Sequence, residues 1–515
     1  METEPASDER PSTEAALGRC FSRIDAVASV RARSLRSSEI SVSRARWLVS
    51  IVMLVEMFTS QHRLANGNDA PSETAADSAT DPIAVPESLW SNEGEDWTGF
   101  LGPGGRGRSS LEGLQVPWPK SGPSIRWHCD LGEGYCSPTI ANGRVLAFDR
   151  VESRVRLRCL HAETGKQIWE TGHETSYRDT FGYDGGPRSC PVVSGGRVLT
   201  FGPEGRLDCR RLEDGSLLWS VDTSERYGVV QYFFGVGSAP VVYGDRVIVQ
   251  VGGSPPGSTP PSPERLDLVQ GLDSGLVAFD LVSGRECWRV SDELASYSTP
   301  VITEIDGERR LLAWMRDSLL IVDPHTGRLD RRFPYRAEEL FSVNAASPVV
   351  VGNEVLLSET YGPGSILLDL SADGVSVIRR DTSRRQSKAL RAHWATPVVD
   401  GNSAYGFSGR NAGDTELVCS DWKTGEILWR EPGLGRGGLV LVDHHLIVLG
   451  EFGDLLLVEA NRESFRERSR CRLLDRRSGI ELLEPPCWAA PSVAHGYAYL
   501  RGRGRLVCVD LVGGE

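Results

Sequence analysis

One segment of the chain recurs from residue 137 to the C-terminus. Its first copy, residues 137–169, reads SPTIANGRVLAFDRVESRVRLRCLHAETGKQIW. Each copy opens with a small residue and a Pro, places two apolar runs on either side of a Gly turn, and ends with an alternating run, a Thr-Gly turn and a Trp. Pairs such as Asn142-Gly143 accept the positive φ that two-residue hairpin turns need. The pattern therefore predicts four short antiparallel strands per copy.

Eight copies can be followed along the chain. Seven of them begin at a Pro: Pro138, Pro191, Pro240, Pro300, Pro348, Pro397 and Pro491. A more degenerate copy over residues 438–474 lacks it. A repeat of about 50 residues with four strands is typical of a β-propeller, in which each copy forms one blade. The sequence therefore predicts an all-β, eight-bladed propeller of four-stranded antiparallel blades.

The last copy stops before its Trp strand. A segment of matching type, Ser124-Ile-Arg-Trp127, precedes the first copy. We therefore expect an N-terminal strand to complete the C-terminal blade and close the ring. The tryptophans of the fourth strands are expected to pack between neighbouring blades, where burial of a large ring stabilises most; they are Trp127, Trp169, Trp219, Trp288 and Trp429.

The region before the repeats divides by composition. We expect a disordered extension over residues 1–43, a signal peptide or signal anchor over 44–65, a linker over 66–94, a cap segment over 95–123 and the propeller over 124–515. Two arginines, Arg44 and Arg46, precede the apolar run Trp47–Val55, which is short for a bilayer span and typical of a secretory signal. The protein is predicted to be exported to the periplasm or cell envelope. Cleavage and an uncleaved inner-membrane anchor, with membrane association through residues 47–59, both stay open.

Charge and motifs exclude several classes of function. The chain has 57 basic and 70 acidic residues and a net charge of −13, which argues against a nucleic-acid partner. A G-x-G-x-x-G pattern at Gly102, Gly104 and Gly107 neither follows a strand nor opens a helix, so we expect an irregular cap held by Trp97 and Phe100 rather than a dinucleotide site.

Cysteine and histidine spacing gives no metal motif. None of the eleven cysteines forms a C-x-x-C pair. Four of them share one strand position and are predicted to be buried thiols: Cys159, Cys209, Cys419 and Cys508. A bridge between Cys471 and Cys487 stays open. His444-His445 is expected to lie in a turn without metal, and the Pro-rich stretch Ser254–Glu264 to form a projecting loop.

The segments that enter the first strand of each blade should converge on one mouth of the central channel. They carry side chains unlike those of ordinary turns. We expect a ligand-binding site there, formed by Asp184, Arg188, Tyr232, Tyr297, Asn344, His393, Trp394, Arg436 and Trp488. The two arginines could clamp an anion, and the aromatic rings could stack a planar ligand or a sugar. On this interpretation, replacing both arginines should hardly change thermal stability.

The blade pattern resembles the pyrroloquinoline-quinone-like (PQQ-like) repeat. The shared features are the opening Ser-Pro, the Gly turn and the run Leu-x-Cys-Leu-x-Ala-x-Thr-Gly-x-x-x-Trp. The likeness covers about residues 95–515. Exported PQQ-like proteins of the planctomycete type also share an opening like Trp97 to Pro103, and more distant relatives include the propeller lipoprotein of the outer-membrane barrel-assembly machinery. The resemblance implies the fold but does not fix an activity.

The quinoprotein dehydrogenases of this family hold their quinone beneath two adjacent cysteines and use Glu, Asn and Asp with calcium. This sequence has no adjacent cysteines, and no such acidic set can be matched. We therefore assign no catalytic residue and expect no cofactor; PQQ with Ca²⁺ lacks the support of a cysteine pair. Two hypotheses follow. The favoured one is a non-catalytic exported scaffold or binding module with a protein or peptide partner. The alternative is a quinone- or metal-dependent oxidoreductase with an atypical site.

Overall fold

A computed structural model describes residues 83–513 except 231–232, 260–264, 266–267, 338–343, 372–373 and 383–387. The predicted extension, the signal segment and residues 66–82 of the linker lie outside the described residues. So do Tyr232 and the end of the Pro-rich loop. Within the described ranges, no helix combines the length and the apolar character that a membrane crossing requires.

The described chain forms eight sheets, each with four antiparallel strands, which confirms the predicted eight-bladed propeller. The four strands are consecutive in seven of the sheets, and the eighth sheet takes one strand from the N-terminal side of the repeats. The strap strand β1 (Arg108–Ser109) and the closing strand β2 (Ser124–Asp130) come first. Blades one to four contain β3 (Thr139–Ala141), β4 (Arg144–Val151), β5 (Arg154–His161), β6 (Gln167–Glu174); β7 (Val192–Ser194), β8 (Arg197–Phe201), β9 (Arg206–Arg211), β10 (Leu217–Asp222); β11 (Val241–Tyr243), β12 (Arg246–Gln250), β13 (Leu276–Asp280), β14 (Glu286–Val290); β15 (Val301–Ile305), β16 (Glu308–Trp314), β17 (Ser318–Val322) and β18 (Leu329–Pro334).

Blades five to eight follow with the same order of strands. They contain β19 (Val349–Val351), β20 (Glu354–Glu359), β21 (Gly364–Ser371), β22 (Gly374–Arg380); β23 (Val398–Asp400), β24 (Ser403–Ser408), β25 (Glu416–Asp421), β26 (Ile427–Pro432); β27 (Gly438–Val442), β28 (His445–Leu449), β29 (Leu455–Glu459), β30 (Glu467–Cys471); β31 (Ser492–Ala494), β32 (Tyr497–Gly502) and β33 (Arg505–Asp510). A short helix α1 (Thr223–Tyr227) follows blade two, and a 3₁₀ turn spans Pro103–Gly105.

The ring closes as the incomplete last repeat predicts. Strand β2 pairs antiparallel with β33, with Trp127 opposite Cys508, so blade eight takes its outer strand from the N-terminal side of the chain. Hydrogen bonds at the repeated small-residue and Pro positions also join neighbouring blades. Thr139 Oγ1 donates to the carbonyl of Pro191 at 2.6 Å, and Ser492 Oγ donates to the carbonyl of Pro138 at 2.8 Å. The short opening strands are thus tied together around the channel.

The outer-strand tryptophans pack against the next blade. Four of the rings cover the Gly of a turn in the next blade, where a Cβ would clash. At Gly165 the Cβ would lie 2.6 Å from Trp127. The other contacts of this kind are Gly215 on Trp169, Gly284 on Trp219 and Gly327 on Trp288. The indole N–H of Trp127 also donates to the carbonyl of Ala162 at 2.7 Å, and that of Trp429 to Asn461 at 2.7 Å. At these two tryptophans, ring burial and one hydrogen bond together fix a blade on its neighbour.

Blade five replaces this tryptophan with an arginine. Arg379 lies against Gly425 of blade six, as the tryptophans lie on their glycines, and its Nε donates to the carbonyl of Trp422 at 3.3 Å. Its side chain is only 9% exposed. A planar guanidinium with a donor at its edge thus occupies the place of an indole.

The segment before β2 forms a strap, defined as residues 83–123, that enters the channel. Trp97, 1% exposed, pairs antiparallel with Ile140 on the first strand of blade one. Further along, β1 pairs in parallel with β27 of blade seven and makes a fifth strand in that sheet. The Gly-rich stretch therefore turns inside the channel instead of lying over it as an external cap.

The strap already contacts the propeller before the predicted cap begins. Trp90 stacks on His495 with centroids 4.0 Å apart, and Ser91 N donates to Glu163 Oε1 at 3.0 Å. Leu89 N donates to the carbonyl of Asn142 at 3.1 Å. From Ile83 on, the range assigned by composition to a linker is thus packed against the blades.

Other side-chain predictions can be located directly. The four third-strand cysteines are 0% exposed, and burial raises the pKa of Cys159 and Cys209 to about 12. All ten cysteines among the described residues are free thiols, Cys471 and Cys487 included. His444 lies in the turn before β28 and is 75% exposed, and no group of potential metal ligands occurs among the described residues.

Candidate functional site: the channel mouth

The two ends of the channel differ in which connections they carry. Strands alternate in direction, so the entry segments of the first strands share one end with the turns between second and third strands. We call this the mouth end. The remaining turns lie at the other end, where Asn142 and Glu163 of blade one contact the strap. The opposite end is therefore the strap end, and the predicted site residues lie at the mouth.

An arc of aromatic side chains runs around the mouth. Ring centroids are 4.5 Å apart for His393 and Trp394, 5.0 Å for Trp394 and Trp488, and 4.8 Å for Trp488 and Tyr135. Tyr361 extends the arc, with its ring 5.1 Å from that of His393. These rings belong to blades five, six, eight and one, so they bridge the channel rather than line one blade.

Arg436 lies between the two tryptophans. Its guanidinium carbon is 5.3 Å from the Trp394 ring centroid and 4.9 Å from that of Trp488. Glu451 holds it with two side-chain hydrogen bonds, 2.7 Å from Nη2 and 3.2 Å from Nε, and accepts a third from the Arg436 backbone N–H at 2.8 Å. Burial alone would raise the pKa of Glu451, but the hydrogen bonds and charge of Arg436 leave it lowered. The pair is ionised and has no net charge.

Arg188 occupies the matching place on the other side of the mouth. Its guanidinium carbon is 5.5 Å from the ring centroid of Tyr135 and 5.0 Å from that of Phe234. Nη2 donates to Asp179 Oδ2 at 2.8 Å, and Asp179 is almost fully buried. Both predicted anion clamps are thus already bound to a carboxylate. An anionic ligand would have to displace Asp179 or Glu451 before either arginine could bind it.

His393 is neutral at this site. Burial, with the positive charges of Arg436 and Arg410 second, lowers the pKa of His393 to about 3. Its Nε2 lies 2.9 Å from the Tyr361 hydroxyl. Burial also raises the pKa of Tyr135 to about 12, with Asp184 adding to the shift. Near neutral pH the His393 ring is therefore uncharged and the Tyr135 hydroxyl keeps its proton.

The remaining predicted residues bind neighbouring loops. Asn344 is 1% exposed and its Nδ2 donates to the carbonyl of Met315 at 2.7 Å. Asp184 accepts the N–H groups of Gly134 at 3.1 Å and Gly186 at 2.7 Å. The Tyr297 hydroxyl accepts the N–H of Phe234 at 2.8 Å. These contacts fix the shape of the mouth.

Sequence reasoning did not identify several residues of the mouth. These are Tyr135, Asp179, Phe234, Tyr361, Arg410 and Glu451. One of them had a signal in the repeat. Tyr135 stands three residues before a blade-opening Pro, as do Arg188, Tyr297, Trp394 and Trp488. The partners Asp179 and Glu451 come from other parts of their blades, and nothing in the repeat marks them.

The mouth residues do not fit a calcium–quinone pair. The two ring faces best placed to stack a planar cofactor, those of Trp394 and Trp488, share the Arg436 guanidinium. The carboxylate beside Trp488, that of Glu451, is bound to Arg436, and the Asp179 carboxylate across the mouth is bound to Arg188. We derive no catalytic step here.

Comparison with known proteins agrees with the arrangement of eight four-stranded blades. A PQQ-like repeat model described as outer membrane protein assembly factor BamB matches residues 151–431 and 336–479, more than half of the chain. This chain belongs to the PQQ-like β-propeller family. No curated protein matches it by sequence.

Two solved members show the same PQQ-like fold at low identity. BamB from Moraxella catarrhalis is 13% identical with a TM-score of 0.50, over 76% of this chain and 99% of that one. A quinohemoprotein alcohol dehydrogenase from Comamonas testosteroni is 12% identical with a TM-score of 0.54, over 82% and 81%. At such identities the likeness establishes the fold of a PQQ-like propeller and leaves its function to the site.

Proposed function

We propose that this PQQ-like propeller is an exported protein-binding module and that its mouth end receives the partner. The observation that carries the proposal is the distribution of exposed rings. Among the described residues, three aromatic side chains are strongly exposed: Tyr183 at 63%, Phe181 at 50% and Phe452 at 38%. All three lie on mouth-end loops. Exposed large rings gathered on one face are typical of interaction surfaces.

The rings are already ordered for contact. Phe181 lies 5.4 Å from Phe233 and 5.7 Å from Phe234, and Tyr183 lies 6.1 Å from Phe234. Aromatic residues with arginine provide most of the energy at protein interfaces, and a side chain that is fixed before binding loses less entropy. Because Arg188 is paired with Asp179, the affinity for a partner at this face should depend more on contact area than on net charge.

Export and an envelope partner complete the proposal. The matched family model carries the name of an outer membrane assembly factor, and a basic flank followed by an apolar run at residues 47–55 is typical of an export signal. We place this chain in the periplasm or cell envelope on that basis. The oxidoreductase alternative has no observation in its favour, since the carboxylates of Asp179 and Glu451 are bound to arginine and that of Asp184 accepts main-chain N–H groups.

The test compares the two ends of the propeller in the full-length protein. The mouth variant carries Phe181→Ser, Tyr183→Ser and Phe452→Ser. Its control carries Val282→Ser, Val351→Ser and Val512→Ser, three apolar side chains exposed by 40–43% and placed away from the mouth. Both variants are expressed in the native host, cross-linked and purified, and the recovered proteins are quantified by mass spectrometry.

We expect a defined envelope protein to be recovered with wild type and control and to fall at least tenfold with the mouth variant. Equal recovery with all three proteins, or loss with the control alone, would show that the mouth end is not the binding face. Unchanged circular dichroism and thermal midpoints are required of both variants.

A further inference from the structure

A groove on the mouth face separates blades six and seven. It has a volume of about 760 Å³, and its walls include Ala412, Gly413, Asp414, Pro432 and Phe452. This volume lies in the range of ~300–1,000 Å³ that is usual for ligand sites. It would hold a short segment of chain but not a folded domain.

The groove is formed by loops that also carry residues of the mouth. Phe452 directly follows Glu451, the partner of Arg436, and a Cβ at Gly435 would lie 3.1 Å from the Phe452 ring. On the other wall, Arg391 lines the groove two residues before His393. The same loops therefore form both features, so a ligand in the groove would contact loops of the mouth.

The charges of the groove are paired. Arg430 Nη1 lies 2.8 Å from Glu416 Oε2, and Arg391 Nη1 lies 3.7 Å from Asp414 Oδ2. Two cations and two anions leave no net charge to attract a phosphate, a nucleic acid or an anionic lipid headgroup. The walls suit a neutral ligand with both polar and apolar groups.

Main chain is also accessible in the walls. A Cβ placed on Gly413 or on Gly433 would meet no atom within 4 Å, so both glycines leave open space beside their backbone. Exposed peptide groups of this kind can hydrogen-bond another main chain. The apolar groups of Pro432 and Phe452 provide contacts for its side chains.

We propose that this groove binds an extended, uncharged peptide segment of the partner protein, with an apolar side chain directed toward Phe452. The inference rests on the proposed function, because it specifies how a partner engages the mouth. An oligosaccharide is the less suitable occupant. Sugar rings stack on open aromatic faces, whereas the Arg436 guanidinium lies against Trp394 and Trp488.

The test fills the groove without straining the fold. Gly413 has an ordinary φ and open space at its Cβ position, so Gly413→Leu should occupy the groove while folding normally. Val351→Leu at the strap end is the matched control. A random linear heptapeptide library is selected on the full-length wild type, the affinities of enriched peptides are measured for all three proteins, and each protein is also applied to an oligosaccharide array.

We expect apolar, uncharged peptides to be enriched and their affinity to fall at least tenfold with Gly413→Leu but not with Val351→Leu. Peptides that bind the Gly413→Leu protein equally well would place the site elsewhere on the mouth. Oligosaccharide binding lost with Gly413→Leu would replace the peptide by a glycan. If no peptide is enriched, the inference is wrong, while recovery of a cross-linked partner in the preceding experiment would still support the proposed function.

Discussion

The two ends of the channel are closed in different ways. At the strap end the closure is made by main chain: Trp97 pairs with Ile140, and β1 adds a parallel strand beside β27. At the mouth it is made by side chains, among them Trp488 and Arg436, which lie 4.9 Å apart and remain partly exposed.

The difference separates stability from recognition. Backbone pairing fills the channel and leaves little surface for a ligand, so changes there should lower the free energy of unfolding. Side chains at the mouth are packed on one side and open on the other, so changes there should alter binding more than folding. Each prediction below tests one part of this contrast.

The largest effect is expected from Trp97→Ala. Trp97 is 1% exposed, and its removal leaves a cavity under the strap, which typically costs ~3–5 kcal/mol. Trp488→Ala at the mouth should cost clearly less, because that ring is only partly buried. Urea denaturation followed by fluorescence measures both free energies of unfolding. Equal losses would mean that the mouth is as important for folding as the strap.

A second contrast lies within the strap itself. Gly102 has φ +69° and its Cβ would lie 2.5 Å from the Trp97 ring, whereas Gly104 has φ +65° and a nearest atom at 3.6 Å. Both alanine variants should lose ~1–2 kcal/mol for the left-handed backbone. Gly102→Ala should lose ~1–3 kcal/mol more through overpacking. Thermal denaturation of the two variants side by side measures this difference in stability. Identical midpoints would show that the strap is loosely packed around Trp97.

The repeat made most of this fold predictable. Its Pro, Gly and Trp positions each have a local physical role, so the eight blades and the closing strand could be found by counting copies. The sequence did not show where the strap lies. Its path depends on a channel that exists only after all eight blades have assembled, and Gly102 to Gly107 looks like an ordinary irregular turn until then.

The site was less predictable than the fold. The entry segments were expected to gather at one mouth of the ring, but side-chain pairing could not be read from them. Glu451 lies 15 residues from Arg436 in sequence and meets it only through the blade hairpin. Arg379 had no signal either, because an arginine in an outer strand usually faces solvent. Such partners depend on three-dimensional packing between repeats.

The Arg436–Glu451 pair corrects one expectation from the sequence. Replacing the mouth arginines was expected to leave thermal stability nearly unchanged, but Arg436→Ala would leave the 7%-exposed Glu451 without its cation. We expect a loss of ~1–3 kcal/mol. The double variant with Glu451→Ala should lose less than the sum of the single losses, as a double-mutant cycle by urea denaturation would show. Strict additivity would mean that the pair is not formed in solution.

The smallest effect concerns pH and His393. The unfolded chain binds a proton at this histidine below about pH 6.5, whereas its pKa in the folded protein is about 3. Between pH 6.5 and 3 the unfolded chain therefore binds a proton at His393 that the folded protein does not bind. The free energy of unfolding falls as the pH is lowered through this range. The groups facing the ring are Tyr361, Arg410, Asp414 and Arg436, and the two arginines oppose protonation.

Between pH 7.5 and 5.5 this one group should lower the free energy of unfolding by about 1.4 kcal/mol. His393→Gln should remove that part of the pH dependence, whereas His444→Gln, at a residue exposed in a turn, should keep it. Urea denaturation of the three proteins at both pH values measures the difference. If wild type and His393→Gln show the same pH dependence, His393 is reached by water in the folded protein and the mouth is more open than the arc of rings implies.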